Sequence, residues 1–273
     1  MPQVRAHVVR PPLGIRGLKE RARGGNHERN VNERQVTIND NEHFITEGGE
    51  VDSMGVCALI LGDSGSGKST SLRNFEEGEV GIFNVMGKPL PFRKKLTKAD
   101  HSGYDAILKS LGKNALRAYV IDDAGYLMSL ENFSRAQEKG YGKFTDMAQK
   151  FERLIEAATK TDDDTIVYIM MHYDRDADGR MKPKTVGKML DEKFCIEGAC
   201  PIVLQSTIDD GKHVFISRGD GFNAAKAPMD MLPDVMDNDL KAVDTAIREY
   251  WGMAQLVDKS KGGQAQKAAK SDA

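Results

Sequence analysis

The sequence is poor in cysteine and has no long apolar run, and each shortage closes off a class of protein. Three cysteines, Cys57, Cys195 and Cys200, cannot build a disulfide framework, and no Cys/His cluster has the spacing of a zinc site. They suit a reducing cytoplasm. No apolar stretch approaches the roughly 20 residues that cross a bilayer, so no membrane span is expected. The opening residues, MPQVRAHVVRPPLGIRG, hold no apolar signal core, so secretion is not expected either. What is present is a soluble globular composition: 273 residues, 40% hydrophobic and 29% charged. That supplies one sizeable core, as one domain of about 200–220 residues with tails or as two small domains.

The net charge of −2 hides a segregation. Residues 1–34 carry eight Lys/Arg against three Glu, a net of +5, and residues 259–273 carry four Lys against one Asp, a net of +3. The remaining body, 35–258, therefore carries −2 − 5 − 3 = −10. The basic, Gly-containing ends lack aromatics and cannot bury enough surface to offset their ordering entropy. Residues 1–53 are thus expected to be a largely disordered basic extension and 253–273 a disordered basic tail, around a folded domain at 54–252. Such arms either attract nucleic acid or simply solubilise.

Within the domain, strands and helices alternate. VCALIL (56–61), RAYVID (117–122) and TIVYIMMH (165–172) are continuous apolar runs, the pattern of strands buried on both faces. EVGIFNV (79–85) is a further strand. Helices are expected at 68–77, 103–112, 142–160 and 238–251. In 142–160, Phe144, Met147, Ala148, Phe151, Leu154, Ile155 and Ala158 recur with helical periodicity. IVLQS (202–206) and HVFIS (213–217) flank Asp210-Gly211, a hairpin signal. The expectation is an α/β fold: a mostly parallel sheet flanked by helices, ending in an antiparallel hairpin and a helix.

The chemistry concentrates in Gly62-Asp63-Ser64-Gly65-Ser66-Gly67-Lys68-Ser69-Thr70, which matches G-x-x-x-x-G-K-[ST] in full. Glycines let successive N–H groups face a phosphate. Lys68 supplies a cation for the β- and γ-phosphates of ATP, and Ser69 a hydroxyl ligand for Mg²⁺. The motif sits after an apolar strand and before a helix, where such a cradle belongs. YVIDDAGYLM (119–128) follows the Walker B pattern, an apolar strand ending in an acid. Asp122 is the candidate Mg²⁺ ligand. Asp123 is either the base that orients the attacking water or a cap of the next segment. His172, ending its strand, either senses the terminal phosphate or is a strand-end histidine satisfied by backbone.

Three further segments carry weaker signals. Asp174, Asp176, Asp178 and Gly179 copy the first half of a calcium loop, but the twelfth position is Thr185 rather than Glu. A turn built on Asp/Gly chemistry is the expectation there. Lys182, Lys184 and Lys188 are candidates for phosphate contacts in an assembly, for nucleic-acid contacts, or for plain solvation. The stretch from Asn84 through Lys88 to Phe92-Arg93 comes after a strand end, where α/β sheets line their ligand crevice.

Taken in order, GDSGSGKST, NVMGKPLPFR, VIDDAGYLM, KPKTVGKMLDEK, the Asp-Gly hairpin and NDLKAVDTAIREYWG resemble phage-encoded P-loop ATPases with a RecA-like core, over about residues 56–252. That group is linked with single-strand annealing and recombination. The resemblance implies that Lys68 and Ser69 bind ATP and Mg²⁺, and that Asp122 is the Walker B acid. It implies single-stranded DNA, or a DNA-bound recombination or replication protein, as partner. Homo-oligomers in the cytoplasm of a bacterial host are implied as well. Two departures stand out: Asn84 and Gly87 lie where a catalytic Glu usually comes after the second strand, and no arginine finger is evident. Two other functions compete with a DNA-directed ATPase. One is an AAA-type loader or remodeller of a protein; the other is a small-molecule kinase, which the short, Arg-poor region after the hairpin disfavours.

Overall fold

The structure, a computed structural model, describes residues 55–256. The basic extension expected at 1–53 and the tail from 257 onward lie outside the described residues. Eight strands form the main sheet: β1 (Val56–Gly62), β2 (Gly81–Asn84), β3 (Lys98–Asp100), β4 (Ala118–Asp122), β5 (Ile166–Met171), β8 (Ile202–Asp209), β9 (Lys212–Ile216) and β10 (Val235–Asp237). Their order across the sheet is β10-β9-β8-β1-β5-β4-β2-β3. From β8 to β3 every pairing is parallel; β8–β9 and β9–β10 are antiparallel. A separate hairpin pairs β6 (Tyr173–Arg175) with β7 (Met181–Pro183).

Side chains of the central strands alternate between two cores. Cys57, Leu59 and Leu61 of β1, with Val167, Ile169 and Met171 of β5, join Ile107 of α1 (Tyr104–Leu111), Met128 of α2 (Gly125–Ser134) and Phe151 of α3 (Gly142–Thr159). Two short helices, α4 (Lys188–Lys193) and α5 (Ile196–Ala199), add Leu190 and Ile196 to the same core. Ala58, Ile60, Tyr168 and Met170 point the other way, to Leu72, Phe75 and the buried residues Leu240, Val243 and Ile247 of α6 (Leu240–Trp251). Helices on both faces explain why β1, β4 and β5 read as unbroken apolar runs: neither face meets water. The fold is α/β, with a mostly parallel central sheet and an antiparallel C-terminal hairpin.

Two expectations change. The helix expected at 68–77 is a short 3₁₀ helix, Ser69–Asn74. Ser69, Thr70 and Ser71 stand in a row, and hydroxyl side chains compete for helical backbone groups. Ser71 Oγ donates to the Lys68 carbonyl at 2.6 Å, and Phe75 leaves in an extended conformation to bury its ring. The chain also does not loosen at Gly252. That glycine ends α6 in the left-handed region, and residues 253–256 return to the body. Arg248 Nη1 donates to the Ala254 carbonyl at 2.8 Å, and the Ala254 amide donates to Asp164 at 2.6 Å.

Arg248 is fully buried and anchors a network whose side chains Asp244 and Tyr168 are buried with it. Its guanidinium pairs with Asp244 one turn back and donates to the carbonyls of Asp164 (2.8 Å) and Arg117 (2.7 Å). Tyr168 Oη donates to the second Asp244 oxygen at 2.9 Å. One cation thereby ties α6, β5, the entry to β4 and the end of the described chain.

Candidate functional site

Because β1, β5, β4 and β2 run parallel, their C-terminal ends share one edge, and the loops leaving them form a crevice. β1 leads into the glycine-rich segment 62–70, the Walker A sequence. Gly65 (φ 81°) and Gly67 (φ 106°) take left-handed conformations that a side chain would strain. A Cβ on Gly67 would also lie 3.0 Å from His213 Nδ1. Lys68 is buried and donates through Nζ to the carbonyls of Gly62 (2.7 Å) and Asp63 (2.9 Å). Burial pushes its ammonium below the ordinary lysine value, while Asp123, Asp122 and Asp63 act in the opposite direction. The loop is braced on both flanks. Tyr173 Oη donates to Asp63 at 2.7 Å; Ser206 Oγ donates to the Ser66 carbonyl at 3.0 Å, and His213 Nδ1 lies 2.9 Å from the same oxygen.

β4 delivers the acids. Ser69 Oγ donates to Asp122 at 3.1 Å (Oδ1) and 2.8 Å (Oδ2). Burial raises the Asp122 carboxyl above its usual range, partly offset by the Ser69 hydroxyl. Asp123 turns the chain with φ 61°, a conformation Asp tolerates better than most residues. Its carboxylate meets Lys88 Nζ at 2.8 Å on one oxygen, and His172 Nε2 lies 3.7 Å from the other. Burial, then the nearby Lys68, lowers His172 below the ordinary histidine value and favours the neutral ring. Asn84, at the end of β2 and in register with Asp122, is buried; its amide donates to the Lys88 carbonyl and to Asp100, each at 2.7 Å.

Ser64, Gly65, Gly67, Lys68, Ser69, Thr70, Asp122, Asp123 and His172 all line one open cavity of ≈ 270 Å³. Residues far apart in the sequence thus converge on one cavity, whose lining does not include Gly62, Asp63 or Ser66. Lys88, within the stretch singled out after the second strand, lines the same cavity, so that stretch contributes a side chain and not only a loop shape. His213 also lines it and carries no sequence signal, because a lone histidine at the start of β9 has no motif. The lysine cluster is not brought there. Lys182 pairs with Asp191 at 2.9 Å and Lys184 lies 3.4 Å from Asp174. Asp176 accepts from the amides of Asp178 (3.0 Å) and Arg180 (2.8 Å), which makes the calcium-like stretch the turn of the β6–β7 hairpin.

Two cations and two carboxylates therefore face one crevice around a glycine-shaped loop. Among the described residues no group of three or more His, Cys, Asp or Glu is placed to hold a metal by itself. Ser69 and Asp122 nonetheless bring hard oxygen donors to one point, the donor set of a Mg²⁺ that completes its shell with water and substrate phosphates. No protein-family model and no curated protein matches the sequence. Among the described residues no helix is long and apolar enough to cross a membrane.

Proposed function

We propose that the chain is a Mg²⁺-dependent ATPase with a RecA-like P-loop core that acts in phage DNA recombination or replication through single-stranded DNA. The observation that carries the nucleotide reading is the contact of Ser69 with Asp122, beside Lys68 in a loop whose glycines take the conformations a phosphate cradle needs. β5 supports it further, since it lies between β1 and β4 and brings His172 to the same crevice.

In this reading the loop amides and Lys68 hold the phosphates of ATP, and Ser69 with Asp122 hold Mg²⁺, which supplies neutralisation of phosphate charge. Asp123 accepts a proton from a water whose oxygen attacks the terminal phosphorus. The bond from that phosphorus to the bridging oxygen breaks, leaving ADP and inorganic phosphate. Neutral His172 lies beside Asp123 without competing with Lys88 for it as a cation.

Two exposed aromatics support a single-stranded partner. Phe133 is 78% and Tyr141 89% exposed, in a stretch that also holds Lys139 and Lys143. Rings and cations together suit stacking on bases and pairing with phosphates. The net of −10 over 35–258 favours the second reading, a loader or remodeller of a protein partner. ATP hydrolysis by the full chain, measured with and without single-stranded DNA and with mass in each nucleotide state, decides between them. Stimulation by DNA and ATP-dependent self-association are expected; turnover indifferent to DNA, with no DNA binding at low salt, moves the assignment to the protein partner.

A further inference from the structure

The loop after β2 enters the crevice from the side remote from the Walker A sequence, because β5 and β4 stand between β2 and β1. Of its four cations, Lys88, Arg93, Lys94 and Lys95, it places Lys88 in the crevice. The backbone there is pinned, since the buried Asn84 amide holds the Lys88 carbonyl, and Pro89 and Pro91 stiffen the next few residues. The side chain is not pinned. It is 57% exposed, its ammonium sits 5.3 Å from the Tyr126 ring centroid, and its one carboxylate partner is Asp123. Its ammonium end is open to water, which weakens the pair, although the Asp123 side chain is only 12% exposed. Lys68, by contrast, is buried inside the loop and tethered to two of its carbonyls.

The two cations thus differ in kind. Lys68 belongs to the cradle and meets whatever phosphates the loop holds. Lys88 reaches across from the opposite wall and is occupied by the group that the proposed hydrolysis needs free. Resting on the nucleotide reading, we propose that Lys88 distinguishes a nucleoside triphosphate from a diphosphate. Its ammonium exchanges Asp123 for an oxygen of the terminal phosphate, and the exchange releases Asp123 toward the water. A diphosphate lacks the group that reaches Lys88, so the Lys88–Asp123 pair stays closed and the acid stays occupied. The sequence contains no evident arginine finger, and Lys88 supplies the missing charge from the same chain.

Binding, not turnover, tests this. The full chain is titrated with Mg²⁺ and either ADP or the non-hydrolysable imido analogue of ATP. A charge-assisted contact is worth a ten- to hundredfold change in affinity, roughly. Lys88→Ala, and Lys88→Met which keeps the stem, should lower analogue affinity by about that factor and leave ADP affinity within about twofold. Asp123→Asn should raise analogue affinity severalfold, because Lys88 no longer has to leave a carboxylate, and the gain should vanish in Lys88→Ala/Asp123→Asn. Lys68→Ala should weaken both ligands. If Lys68→Ala weakens both while the Lys88 variants leave the analogue-to-ADP ratio unchanged, the proposal is overturned and the nucleotide reading stands. A gain in Asp123→Asn that persists without Lys88 also overturns it. If Lys68→Ala weakens neither ligand, the nucleotide reading falls and the proposal with it.

Discussion

Ser69 and Asp122, 53 positions apart, share a hydroxyl-to-carboxylate contact in which one Oγ lies within 3.1 Å of both acid oxygens. Asp122 is buried there, and that burial has a thermodynamic consequence. Because its carboxyl titrates above the ordinary value, the folded chain takes up this proton at higher pH than the unfolded chain does. Stability therefore falls as pH rises through the window from the unfolded value, 3.8, upward, and the cost persists above that window. Asp122→Asn keeps the shape and removes the cost. It should melt above the wild type at pH 7, with the difference shrinking toward pH 4, while Mg²⁺-dependent nucleotide binding is lost. Thermal melts at both pH values and calorimetric titration check the two halves separately.

Asp123→Asn should bind Mg²⁺ and nucleotide yet turn over about 10²–10⁴ times more slowly, the usual range for loss of a general base. Single-turnover release of phosphate reads this directly. Unaltered turnover would leave Asp123 as a turn residue only.

The two loop glycines should respond unequally to alanine. At Gly65 the positive φ alone is violated, since a Cβ there meets nothing within 4 Å. A cost of about 1–2 kcal/mol is expected. At Gly67 the same strain adds to a Cβ 3.0 Å from His213 Nδ1 and 3.1 Å from Asn238 Oδ1. Gly67→Ala should be the more damaging of the pair, in denaturant midpoint and in nucleotide affinity alike.

Arg248→Met should destabilise the chain by about 3–5 kcal/mol, because Asp244 is then buried without its cation. Truncation after Gly252 attacks the same network by removing the Ala254 carbonyl and the buried Met253. It should cost about 2 kcal/mol or more, whereas truncation after Leu256 keeps those contacts. Urea unfolding of the three chains decides; equal stability of the two truncations would return residues 253–256 to the tail.

How much of this could be read in the residues depended on whether the determining interactions were local. The strands β1, β4 and β5 were legible because burial on both faces leaves an unbroken apolar run. Lys68, Ser69 and Asp122 were legible because a glycine-rich loop ending in Gly-Lys-Ser and an apolar strand ending in an acid are local residue patterns. Helix α2 was not: it starts straight after Asp123 with no side-chain cap, and Gly125, Ser129 and Asn132 dilute its apolar stripe. The reach of Lys88 to Asp123 spans 35 positions and results from strand order, which no local pattern encodes. The tail boundary was misplaced for a similar reason. Glycine at 252 reads as an ending, while the groups that hold 253–256 are a guanidinium on the preceding helix and a carboxylate at Asp164.

The placement of β5 between β1 and β4 also bears on synthesis. During translation the Walker A loop and Asp122 emerge early, but the strand that separates and aligns β1 and β4 ends at Met171. Until that strand has left the ribosome, the nascent chain has both halves of the crevice and nothing to space them correctly. A ribosome-bound fragment ending before it should carry the motif and fail to retain nucleotide.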